Sequence, residues 1–127
     1  MLIAGLPFTS FARSCDSNGQ DKAEYFAEIA GNEIVDKFGG GQDIRVKVTS
    51  CDYNSYSELF KVEIEVYWSG AIFRSNKYNI DGMLKMKSDG TDTDFSQTYA
   101  NERVKNLRFF RNLVGGAIVL GALAASE

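Results

Sequence analysis

The feature that most constrains this chain is a strict two-residue alternation through its middle. Phe60, Val62, Ile64, Val66 and Trp68 alternate with Lys61, Glu63, Glu65 and Tyr67. Side chains of an extended strand point to opposite faces in turn, so this pattern predicts a long strand with one buried face. A second strand repeats it, with Tyr78, Ile80, Leu84 and Met86 on one side and Asn79, Asp81, Lys85 and Lys87 on the other. The apolar side of such a sheet needs a covering layer.

The cover lies upstream. From Asp21 to Phe38 the period becomes helical: Ala23, Phe26, Ala27, Ala30, Ile34 and Phe38 recur three and four residues apart. Asp21 with Glu24 three residues on reads as a capping box, and Gly39-Gly40-Gly41 ends the helix. A first strand follows, Ile44, Val46 and Val48 alternating with Arg45, Lys47 and Thr49. Asp52–Ser57 reads as a polar loop carrying Tyr53 and Tyr56. A bend is expected at Gly70, a reversal at Ser75-Asn76-Lys77, and a bend at Gly82 that leaves room for a neighbouring aromatic ring. Ser88–Asp92 reads as a hairpin turn, and Phe95 to Tyr99 as a short fourth strand.

A C-terminal helix is expected from Asn101 onward, with Val104, Leu107, Phe110, Val114, Ala117 and Gly121 in a stripe. Beyond Leu113 the segment LVGGAIVLGALAA is apolar on every side. Thirteen helical residues rise ~20 Å, short of the ~30 Å of a bilayer core. Ala117, Gly121 and Ala125 have the small-xxx-small spacing that lets helices approach closely. Three readings of this helix stand: burial in the core, self-association as a homo-oligomer, or contact with a membrane surface behind Arg103, Lys105, Arg108 and Arg111.

The expected fold is therefore α+β in the order α-β-β-β-β-α, a four-stranded antiparallel meander packed on an N-terminal helix and followed by a C-terminal helix. A helix leading into a bent antiparallel sheet resembles cystatin-like architectures, and this likeness implies a fold and no function. At 127 residues the chain is one domain with enough length for a real core. Its expected divisions are a truncated signal peptide at 1–12, an α+β domain at 13–103, and the helix with its apolar tail at 104–127.

The signal reading rests on MLIAGLPFTSFA, uncharged and mostly apolar, ending in small residues at Ser10 and Ala12. A positively charged n-region is missing, which places the start upstream or leaves the segment an apolar arm packed on the domain. Lipidation of Cys15 is disfavoured by Arg13 within what would be its recognition box. Export would take the chain to the periplasm or the medium, where Cys15 and Cys51 are expected to form a disulfide.

The chemistry available is narrow. The chain has no histidine, which excludes Ser-His-Asp and Cys-His catalysis and histidine-based metal sites. The net charge of −3, with acids and bases interspersed, gives no expectation of nucleic acid. Asp89, Asp92 and Asp94 crowd one turn, but their order is wrong for a calcium loop. Glu63 and Glu65 share a strand face with Lys61 and read as surface, with a carboxylate-dependent hydrolase as the rival. The sequence predicts no catalytic residue, metal or cofactor. It predicts a small exported binding or structural domain of the bacterial envelope. An unknown protein or glycan would be met by Tyr53, Tyr56 and Tyr67. The alternative is a peripheral membrane or self-associating protein held by the apolar C-terminal helix.

Overall fold

The computed structural model describes residues 12–113 and 116–123. Its elements run β1 (Ala12–Ser14), α1 (Ser17–Lys37), β2 (Gln42–Asn54), β3 (Leu59–Ser69), β4 (Lys77–Lys87), β5 (Thr93–Ala100), α2 (Glu102–Lys105), α3 (Arg108–Arg111) and β6 (Ala117–Gly121). The six strands form one antiparallel sheet in chain order, and α1 packs across one face of it. The α+β class and the helix-covered meander are as the sequence implies. Three residues of β1 and five of β6 extend the sheet at its two edges.

The alternation translates directly into packing. Phe60, Val62, Ile64, Val66 and Trp68 of β3 are buried, as are Ile80, Leu84 and Met86 of β4 and Phe95 of β5. Against them α1 lays Ala23, Phe26, Ala27, Ala30, Gly31, Ile34 and Val35. The small members of that stripe bring the helix axis close to the sheet, and a Cβ at Gly31 would collide with Val46 Cγ2. A Cβ at Gly82 would lie 2.6 Å from Phe95 Cζ, so the glycine does make room for a ring. The β4–β5 register slips beside it, between Asp81 and Gly82.

Several boundaries differ from the sequence reading. The helix begins at Ser17, capped by Asp16, whose carboxylate accepts a hydrogen bond from Gly19 N at 2.8 Å. Asp21 falls inside the helix. Strand β2 runs through Cys51 and Tyr53 to Asn54, because Val48 pairs with Ile64 and Ser50 with Glu63, leaving Thr49 as an extra residue. That bulge moves the inward positions from even to odd numbers, so Cys51 and Tyr53 face α1 just as Val46 and Val48 do.

The largest departure is at the C-terminus. In place of one long helix, α2 and α3 are single turns and residues 117–121 form a strand. Ile118 and Leu120 are buried while Ala117 and Val119 face out, a two-residue period. β-Branched Ile118 and Val119 favour extended backbone. Gly116 and Gly121 both adopt φ +70°, a left-handed conformation that interrupts a helix. Ala117 and Gly121 therefore lie on an edge strand, not on a helix face, and Ala125 lies outside the described residues. No helix among the described residues is long and apolar enough to cross a membrane. The segment read as a leader lies outside the described residues as far as residue 11, and Ala12 opens β1.

Candidate functional site

Two ends of the sheet differ in chemistry. At one, the start of α1, the β2–β3 turn and the β4–β5 turn surround a disulfide between Cys15 and Cys51, whose Cα atoms are 5.5 Å apart. Cys15 N also donates to Cys51 O at 3.0 Å, so the bridge continues the β1–β2 ladder. Gly19 lets the first turn of α1 rest on this corner, its missing Cβ falling 3.1 Å from Cys15 Cβ and 3.6 Å from Phe60 Cε1. Tyr53 and Phe60 are cross-strand partners with ring centroids 4.8 Å apart.

Between these parts runs a half-open groove of about 740 Å³. Tyr53 and Phe60 supply its aromatic wall, Cys15 its corner, and Asp16, Lys22 and Ser55 stand among its polar groups. The β2–β3 turn beside it is organised by Asn54, whose side-chain oxygen accepts from Tyr56 N at 2.9 Å and Ser57 N at 3.0 Å. Glu58 closes the turn at φ +58°. Tyr56 projects from it, 80% exposed.

No known family matches the chain, and no match is found among curated proteins or solved structures.

The other candidate surface is the sheet face opposite α1. Tyr67 lies there, opposite Arg45, whose guanidinium is 5.7 Å from the ring centroid. The Tyr67 hydroxyl donates to Glu65 at 2.9 Å. That bond to a carboxylate, with partial burial and the nearby negative charge of Glu65 and Asp81, raises the phenol pKa above its ordinary value. Glu65 stands directly opposite Asp81, an unfavourable like-charge pair, and opposite Lys47 on its other side. Asn79 Nδ2 donates to Asp81 Oδ1 at 2.7 Å. Glu63 and Glu65 share this face as the spacing requires, around a shallow hollow of about 300 Å³ above Gly82. Glu63 is exposed.

The three tyrosines therefore do not form one patch. Tyr53 and Tyr56 belong to the disulfide end, while Tyr67 lies on the opposite sheet face, seven residues along β3 from the partner of Tyr53. The carboxylates of the β4–β5 turn are engaged locally. Asp89 accepts from Thr91 N at 3.0 Å and Thr91 Oγ1 at 2.6 Å, and Asp92 pairs with Lys87 at 3.2 Å. The Thr91 bonds lower the Asp89 pKa. The sequence reading missed Asp16, Lys22 and Ser55 as groove residues. Their signal was the Cys15–Cys51 pairing itself, which places residues flanking Cys15 beside those flanking Cys51.

Proposed function

We propose that this chain is a small, exported, non-enzymatic binding domain of the bacterial envelope, gripping a protein or glycan in the groove beside its disulfide. One observation carries the reading: an aromatic wall of Tyr53 and Phe60 meets opposite charges and a hydroxyl in a concavity of about 740 Å³. Ligand sites combine apolar walls with a few convergent polar groups in this way, and aromatic rings serve as anchors for sugars and peptides alike. The bridge supports an oxidising compartment, where disulfides persist. The groove is braced by covalent and ladder bonds, so binding would order little that is not already ordered.

A photo-crosslinking residue placed at Ser55 in cells exporting the full chain tests this, with Thr98 on the opposite face as the control. A discrete adduct from position 55 and none from 98, lost with Tyr53→Ala, is the expected outcome. Equal adducts from both positions, or none from 55, would refute the groove.

A further inference from the structure

We propose that the end of the sheet opposite the disulfide docks on an anionic lipid bilayer, with Ile72 and Phe73 entering the headgroup layer. Ile72 is 84% exposed and Phe73 66%, adjacent at the tip of the β3–β4 turn. Their exposure is built in. Gly70 N donates to Asn76 O at 2.9 Å and Asn76 N to Phe73 O at 3.0 Å, closing the turn. Gln42 Nε2 then holds Gly70 O at 2.8 Å, while Arg74 Nη2 donates to Gln42 Oε1 at 2.6 Å and Arg74 Nε pairs with Asp43 at 3.3 Å. Any Cβ at Gly70 would lie 2.6 Å from Phe73 O, so the tip's shape depends on that glycine. Two apolar side chains are thus presented to water on a braced support, in place of being folded inward.

Charge selects the occupant. The segments meeting at this end, 36–43, 70–77 and 101–113, carry seven of the chain's 14 lysines and arginines and three of its 17 acids. This end is thus at +4 and the remainder of the chain at −7, which the total of −3 conceals. The third segment is tied to the turn: Asn101 N donates to Asn79 O and Asn101 Nδ2 to Lys77 O, both at 3.0 Å. Leu107 lines one hollow with Ile72 and Phe73, bringing Arg108 and Arg111 to the same region. A second copy meeting this end head-on would set +4 against +4. A nucleic acid would reward the bases but not Ile72, which has no ring to stack. A bilayer with anionic headgroups rewards both: apolar tips enter the interface, basic side chains gain from the surface potential, and the acidic remainder is turned away.

Sedimentation of the full chain with vesicles tests this, comparing phosphatidylcholine alone with mixtures containing phosphatidylglycerol, at low and high salt. Wild type should sediment with the anionic vesicles only, and less so as salt rises. Ile72→Ser/Phe73→Ser should weaken partitioning about tenfold or more from lost apolar transfer. Arg108→Glu/Arg111→Glu, at exposed positions, should do the same through charge. Val119→Ser, an exposed apolar position on β6, should change nothing. Failure to bind anionic vesicles at low salt overturns the proposal, as does an equal loss with Val119→Ser. So does unchanged binding by the Ile72/Phe73 variant, which would mean attraction to polyanions in general.

Discussion

Tyr67 illustrates how much a single side chain depends on its neighbours. Its phenol donates to Glu65, and a proton held against a carboxylate leaves less readily. The folded pKa is raised above the unfolded value of about 10. Its contribution to stability is therefore complete below that unfolded value and is lost as pH rises through the folded one. Glu65→Gln should move the phenolate transition to lower pH, readable by ultraviolet absorbance at alkaline pH. An unmoved transition would show that Glu65 is not the cause. Sequence parity placed Tyr67 on the outward face, but its partnership with Arg45 and Glu65 depends on strand register, which alternation leaves open. Gly82 was more legible: a glycine within a strand pattern marks a close approach, and Phe95 is what approaches.

The elements were legible where one period ran long. Strands β3 and β4 follow from five and four apolar positions at two-residue spacing, and α1 from its three-and-four stripe. Its first turn was misread because Asp21 with Glu24 has the spacing of a capping box, whereas the cap in use is Asp16, next to the bridged Cys15. Asp16→Ala should cost about 1 kcal/mol in urea unfolding. Asp21→Ala, at an exposed position inside the helix, should cost a few tenths at most. Equal losses would restore the later start. The C-terminal segment failed for a different reason. A run apolar on all sides carries no period, so helix and strand compete on local preference alone. There the β-branched pair Ile118-Val119, with glycines on either side, favours the strand.

Across the whole molecule, the bridge joins the first strand to the second over a separation of 36 residues. Cys15→Ser/Cys51→Ser should lower stability by roughly 3–4 kcal/mol in the chain-entropy model. A lower urea midpoint together with a steeper slope, because the unbridged unfolded chain is less compact, is the signature of that loss. The pairing could be anticipated from two cysteines and an expected export route; the groove it frames could not, since that required knowing that β2 continues to Asn54.

That continuation passes through Thr49, an unmatched residue of β2. Its presence acts as a phase change, letting two half-ribbons of opposite parity share one oily side. A variant shortened by this single position would gain a regular ladder with Val48, Cys51 and Tyr53 still on the oily side, and its bridge should form. The opposite follows if Thr49 instead takes a regular place in the ladder opposite Glu63: with Val46 and Val48 in their places, Cys51 and Tyr53 would swing out to the solvent side. The sulfur of Cys15 would then have nothing to reach, and the aromatic wall at that corner would be dismantled by a slip that touches neither.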